Sequence, residues 1–435
     1  MNKLSCVIYA PVDTFSGYGS HARSKAKSII NLYKDKWDIK IISCGWGSCS
    51  AGFIEENPEW SFLNEYILEV PQLNFQPDIM IWLTVPNEVR PVGKWNCLIT
   101  AGLETTLVPS EWINGVNQMD LTIVSSEHSK TIFEHSKYDQ INKQTQQKEG
   151  ELALTKPVEV CLEGMDINIF KPLDKVGLDL SNVKEDFAYL FCGQWVGNAP
   201  IGEDRKNIGL LIKVFLETFK NKKNKPALIL KTSLASSSYV ERDEIIKRIK
   251  LIKGTVDSKD LPNIYVLMGE FSDEEINELY NHPKVKAMIS LTKGEGFGRP
   301  LLEFTSTKKP IITTKWSGQL DFLNPEFTNL IEGQLTPVHP AAANNMLLKE
   351  SMWFSPDLIQ TNFYLTDVFE NYNNYLEKAK RQAYRSKTEF SLEKMDLRIK
   401  ELFDKYIPNL PVKMELKLPQ LQRKLELPKL VTIEK

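Results

Sequence analysis

An α/β fold built on two parallel sheets is what this sequence predicts, and three observations carry the prediction. Short apolar runs alternate with amphipathic helical patterns along most of the chain. The alternation falls into two series separated by a polar stretch. A chain of 435 residues is also long enough to give each series its own core.

Each element follows in order. "LSCVIY" (4–9), "IKIIS" (39–43), "DIMIWL" (78–83), "NCLIT" (96–100), "LTIVS" (121–125) and "VEVCL" (158–162) are near-continuous apolar runs, the pattern of strands covered on both faces. Helical patterns such as 20–33 and 127–137 lie between them. A second series runs through "FAYLFC" (187–192), "ALILK" (227–231), "IYVLM" (264–268), "KAMIS" (286–290) and "IITT" (311–314). Two Rossmann-like domains are therefore expected, over 1–173 and 174–365, with 171–186 as a polar linker. The Gln- and Lys-rich segment 139–151 reads as a surface loop. Helices follow over 366–410. A tail over 411–435 carries six basic and three acidic side chains, and its prolines at 419 and 428 rule out one long helix.

Composition excludes more than it selects. Hydrophobic residues at 42% and charged residues at 25% are those of an ordinary globular protein. A net charge of −2 gives no electrostatic case for a nucleic-acid or acidic-membrane partner, although a local basic groove can hide in a neutral total. The six cysteines are scattered through strand-like runs, as reduced core residues are. With no leader pattern and no long apolar run, a cytoplasmic location without a transmembrane segment is expected.

The stretch "KGEGFGRPLLE" (293–303) holds the chemistry. It joins the strand "KAMIS" to a helix opened by Pro300, so Gly294, Gly296 and Gly298 lie where free amides and a helix dipole meet. No Gly-Lys-Ser/Thr closes it, and the spacing is not that of a dinucleotide fingerprint. An anion loop and a tight turn both remain open on spacing alone. Glu295 and Glu303 flank the glycines. Carboxylates accept from vicinal hydroxyls, and amides between them suit phosphate, the layout of a nucleotide sugar.

These residues resemble the Glu-x7-Glu motif of retaining glycosyltransferases with the two-domain B-type fold, especially the family-four group. The resemblance extends through 104–130, 161–172, 269–298, 308–323 and 390–395. It implies two Rossmann-like domains facing a cleft, with the C-terminal helices over 366–410 packing back on the first domain. It implies that Glu303 holds the ribose hydroxyls and Glu295 the donor sugar, with the amides of Phe297 and Gly298 toward sugar or phosphate. Lys206, in "CGQWVGNAPIGEDRKN" (192–207), corresponds to the lysine that neutralises the diphosphate. Gln194 stands where the family usually has arginine, and a neutral amide cannot offset charge. Arg205 or Arg299 could compensate.

The resemblance also makes "SGYGSHAR" (16–23) a glycine loop facing the diphosphate across the cleft, through Gly17 and Gly19. His21 either touches the reacting sugar or packs at the helix end. Glu104 and His128 would line the acceptor side, His128 equally as a packing residue. The implied activity is a metal-independent, retaining transfer from a nucleotide-diphosphate sugar, with no other cofactor. The acceptor would be a carbohydrate, a lipid-linked glycan or a modified base in phage-type DNA. A non-catalytic nucleotide-sugar binding protein of the same fold, and an epimerase or phosphorylase on that fold without a separate acceptor, are the remaining alternatives.

Overall fold

The computed structural model describes residues 3–195, 197, 199–234 and 238–411. The tail beyond 411 lies outside the described residues. The first domain runs β1 (Leu4–Ala10), α1 (Gly17–Tyr33), β2 (Trp37–Ser43), α2 (Phe53–Glu56), β3 (Ile79–Leu83), β4 (Trp95–Thr100), α3 (Ser110–Val116), β5 (Leu121–Val124) and α4 (Glu127–His135). It continues through the antiparallel pair β6 (Tyr138–Ile141) and β7 (Lys148–Leu152) to β8 (Val158–Val160). Its sheet has the order β2-β1-β3-β4-β5-β8, parallel throughout. Every residue of β3 and of β4 is buried, which explains the unbroken apolar runs.

The second domain runs β9 (Ala188–Cys192), α5 (Ile208–Phe219), β10 (Ala227–Lys231), α6 (Tyr239–Gly254), β11 (Ile264–Leu267), α7 (Asp273–Asn281), β12 (Val285–Ser290), α8 (Arg299–Thr305), β13 (Ile311–Thr314) and β14 (Asn329–Ile331). A hairpin, β15 (Gly333–Pro337) and β16 (Met352–Pro356), precedes α9 (Leu358–Glu370), α10 (Asn373–Glu389) and α11 (Leu392–Tyr406). The sheet order is β11-β10-β9-β12-β13-β14, again parallel. Strand order reverses between β9 and β12 here, and between β1 and β3 in the first domain. Ligands of open α/β sheets bind beyond the carboxyl ends of strands at such reversals.

The structure departs from the sequence reading at four places. Residues 366–410 do not all return to the first domain. Helix α9 lies on α5 and α10 on α8, where Gln382 Nε2 and Arg385 Nη1 donate to the Phe322 carbonyl at 2.8 and 3.0 Å. Only α11 returns, against α1, placing Phe403 among Tyr33, Trp37 and Trp95. Burying that ring stabilises the return by roughly 1.5–3 kcal/mol.

The domain boundary also lies earlier than 173. Met165 and Phe170 sit in the second core, as do Leu180 and Val183 of the expected linker, too sparse among charges to show a period. The two crossings run side by side: Met165 N donates to the Phe390 carbonyl at 2.8 Å and Leu392 N to that of Met165 at 3.1 Å. A Cβ on Gly164 would stand 2.6 Å from Leu392 Cα, so only glycine fits there.

Segment 139–151 forms most of an exposed hairpin, because alternate polar residues pair through backbone and leave no apolar signature. Finally, β14 and the β15–β16 hairpin are absent from the sequence reading: β14 is three residues long, and β15 is largely exposed while β16 buries Trp353 and Phe354 in a run of only five residues.

Candidate functional site

The glycine loop leaves β12 at the second domain's strand-order reversal and ends at Gly298, in the left-handed region with φ 97°, at the start of α8. No side chain caps α8. Arg299 opens the helix one residue before Pro300, so Glu303 lies just into its second turn. The loop's own position is held by Ser317, whose Oγ accepts from Glu295 N at 2.8 Å, and by Gly318 N, donating to the Glu295 carbonyl at 3.0 Å.

Lys206 arrives from the other side of the reversal, on the loop between β9 and α5. Asp204 accepts from Ile208 N and Gly209 N, fixing the turn before α5. The Arg205 carbonyl accepts from Lys293 N at 2.9 Å, so the two loops are tied by backbone. Lys206 Nζ then donates to both carboxylate oxygens of Glu295, at 2.6 and 2.7 Å. Burial pushes Glu295 up, but Lys206 and Arg205 together pull its carboxyl below the usual range. Burial also pushes Lys206 down, with Glu295 opposing. Arg205 Nη1 lies 3.0 Å from Glu104 Oε1 of the first domain and 3.9 Å from Glu295 Oε2. Gln194 is on the same loop, half-buried beside Cys49, and Gly193 passes close to the Lys206 stem.

A second group of charges is centred on Glu303. Arg299 Nε donates to Glu303 Oε1 at 2.7 Å, and the Tyr280 hydroxyl reaches Oε2 at 3.4 Å. Burial pushes the Glu303 carboxyl up to about 7, against the pull of Arg299. Arg299 Nη1 continues across the cleft to Ser24 Oγ at 3.1 Å, and stands 3.7 Å from Glu163 Oε2. Buried His21 completes the group, its Nδ1 3.3 Å from Glu163 Oε1. Burial pushes Glu163 up, but His21, Arg299 and Lys25 outweigh it and hold the carboxyl below its usual range.

The structure thus brings Lys206, Arg205, Glu295, Gly296, Phe297 and Gly298 into one cluster, and His21, Arg299 and Glu303 into its neighbour. Phe297 itself is buried in the second core, against Phe322, so only its backbone is available to a ligand. Gly17 and Gly19 open α1. Gly17 has no heavy atom within 4 Å of where a Cβ would lie; at Gly19 a Cβ would meet the Thr14 carbonyl at 2.4 Å. His128 packs edge-on against Trp316 of the second domain, and burial pushes its pKa down to about 4. Glu163 was missed as a candidate. It directly precedes Gly164 at the crossing, the one local sign of its importance.

The two domains touch along the loop itself. A Cβ on Gly294 would lie 2.0 Å from the Glu104 carbonyl oxygen, and one on Gly296 2.2 Å from that of Ala101. Ser125 Oγ donates to the Gly296 carbonyl at 3.2 Å. The loop over 101–104 is held by Tyr18, whose hydroxyl accepts from Ala101 N at 3.0 Å. A cavity of about 10 Å³ remains beside Lys206, Glu295, Gly298 and Ser290, room for about one water. Among the described residues no group of three or more His, Cys, Asp or Glu is placed to hold a metal ion, and no helix is long and apolar enough to cross a membrane.

Neither a protein-family model nor a curated protein sequence matches this chain. Solved structures do match its fold. A glycosyltransferase from Rickettsia africae superposes with a TM-score of 0.58 at 15% identity, covering 94% of this chain and 100% of its own. Anabaena HepE in complex with UDP and glucose gives 0.56 at 14% identity, over 92% and 99%. Sucrose-phosphate synthase from Thermosynechococcus elongatus gives 0.57 at 10% identity, over 93% and 99%. The architecture is the two-domain B-type fold of glycosyltransferases.

Proposed function

We propose that this chain is a glycosyltransferase that moves a sugar from a nucleotide-diphosphate donor to an acceptor hydroxyl, with retention and without a metal ion. The observation that carries the reading is the Lys206–Glu295 pair at the start of α8, with Glu303 one turn beyond it. A cation, uncapped helix amides and two carboxylates therefore lie around one helix start, at the strand-order reversal of a fold shared with solved glycosyltransferases. Among these, HepE was solved with UDP and glucose.

In this reading Glu303 accepts from the ribose hydroxyls. Lys206 leaves Glu295 for the diphosphate, and Glu295 turns to the sugar. Charge that develops on the departing diphosphate meets a fixed cation and the amides of Phe297 and Gly298, which is electrostatic preorganisation. The acceptor hydroxyl attacks from the face the diphosphate leaves, and a phosphate oxygen takes its proton. Separation of the domains admits the donor, and their closure over it excludes water.

Lys206→Ala tests the assignment in a donor-turnover assay run with excess EDTA. Loss of one such stabilising group is expected to lower kcat by about 100-fold or more, far beyond the stability lost as Glu295 gives up its bidentate partner, with the variant still folded in a thermal scan. Turnover within a few-fold of wild type would remove Lys206 from the site, and loss of wild-type turnover in EDTA would overturn the metal-free account.

A further inference from the structure

Gln194 leaves the diphosphate site one permanent cation short, and the structure distinguishes the two arginines that could supply it. Arg299 is engaged on several sides: it donates to Glu303 and Ser24, reaches the Ser20 carbonyl at 3.4 Å, and faces Glu163. Its side chain is only 15% exposed. Moving it would strand two buried carboxylates, a costly step. Arg205 is differently placed. Its backbone is tied to the glycine loop through Lys293 N, and its side chain is 28% exposed. Its charge is directed at a single close partner, Glu104, which is equally exposed and belongs to the opposite domain.

The charges in this cluster cancel. Glu104 and Glu295 carry two negative charges, Arg205 and Lys206 two positive ones. A donor's diphosphate would enter a neutral site, and Arg205 offers it an uncompensated charge only by leaving its carboxylate. Glu295 is held through both oxygens by Lys206 at 2.6–2.7 Å, whereas Arg205 stands 3.9 Å away from it. The weaker, more solvated link is the one to Glu104.

We propose that Glu104 is a counter-charge that parks Arg205 across the cleft, and that the donor's diphosphate takes Arg205 from it. Glu104 is then a positioning residue, acting on the donor only through Arg205. The exchange couples the two sides of the cleft: the anion that gains a guanidinium releases a carboxylate on the face expected to receive the acceptor. Donor binding therefore precedes acceptor binding. The proposal rests on the glycosyltransferase reading.

The test is a double-mutant cycle by calorimetry on the full chain, with UDP, GDP, ADP, CDP and dTDP as probes. Arg205→Ala is expected to weaken the nucleoside diphosphate that binds by about 10-fold or more, the effect of losing charge-assisted hydrogen bonds. Glu104→Gln is expected to tighten it by about two- to five-fold, since a partly exposed pair holds a side chain only weakly. In the Arg205→Ala background, Glu104→Gln is expected to change nothing. Equal tightening in both backgrounds would show Glu104 to be a repelling charge and overturn the parking role. No tightening in either background would also overturn it. Thermal midpoints of all variants establish that they are folded. If wild type binds none of these diphosphates, the glycosyltransferase reading fails and takes the parking role with it. Binding by wild type with no effect of Glu104 leaves that reading intact and removes only this inference.

Discussion

Two strand–glycine–helix junctions meet at the cleft, and only one of them gathers charge. At the first, between β1 and α1, the chain satisfies itself. Ser16 caps the helix by accepting from Gly19 N at 2.8 Å, and Arg23 donates to the Val12 and Thr14 carbonyls from within. Gly19 is small because Thr14 leaves it no room. At the second, between β12 and α8, no side chain caps the helix and the surrounding groups are Lys206, Glu295, Arg299 and Glu303. Glycines after a strand therefore mean different things. Where a neighbouring hydroxyl meets the free amides, the turn is a packing device; where none does, the amides stay available to an anion.

The sharpest way to break this contrast is at Gly296. A methyl group there would overlap the Ala101 carbonyl and hold the domains apart, while the proposed nucleotide half of the site stays within the second domain. Gly296→Ala is expected to lower kcat by about 100-fold or more, the order of loss that a misplacement of about 1 Å brings. Affinity for a nucleoside diphosphate should stay within a few-fold, as calorimetry would show. Loss of both together would mean the glycine serves the phosphate directly.

Glu303 gives the next effect. In the proposed function it accepts from ribose hydroxyls as a carboxylate, and burial pushes its pKa up to about 7. The group is charged above that value and neutral below it. Affinity for the nucleoside diphosphate is therefore expected to fall as pH drops from 8 to 6. Glu303→Gln is expected to weaken binding by about 10-fold at pH 8, through loss of charge-assisted bonds, and to flatten the profile. A mutant that keeps the wild-type pH dependence would move the titration elsewhere.

The first junction should respond in stability. Gly19→Ala forces a methyl against Thr14 and is expected to cost about 1–3 kcal/mol, the usual range for overpacking, with donor affinity of the folded protein unchanged. Denaturant unfolding and calorimetry on one preparation test both halves. The smallest effect belongs to Gly17, where a Cβ meets open space. Gly17→Ala is expected to raise stability by about 0.4–1 kcal/mol by restricting the unfolded chain. A concurrent few-fold loss of turnover would place the diphosphate in that open space, as the resemblance implies; unchanged turnover would leave Gly17 a matter of backbone alone.

Much of the scaffold was legible in the residues. Eleven strands were expected, and all eleven lie in the two parallel sheets, because a continuous apolar run is a local signal of burial on both faces. The glycine loop was legible for a similar reason: strand, glycines, proline and helix are contiguous. The exposed β6–β7 hairpin and three-residue β14 were not, since neither shows a periodic apolar face. Nor was the extent of the first domain, because Met165 and Phe170 look the same whichever core they enter.

The sequence by itself determined the fold class, the position of the glycine loop, and which residue types stand ready around it. It did not determine who pairs with whom. Lys206 meets Glu295 across 89 residues, and Arg299 meets Ser24 across 275. Arg205 reaches Glu104 only because two domains close on each other. Local structure is set by a few adjacent side chains and can be read in a line. The charge pairs depend on strand order, on the crossing beside Gly164 and on the docking of α11, each the outcome of burying whole faces. A lysine, two arginines and four glutamates are just charged residues in a list; tertiary packing brings them together.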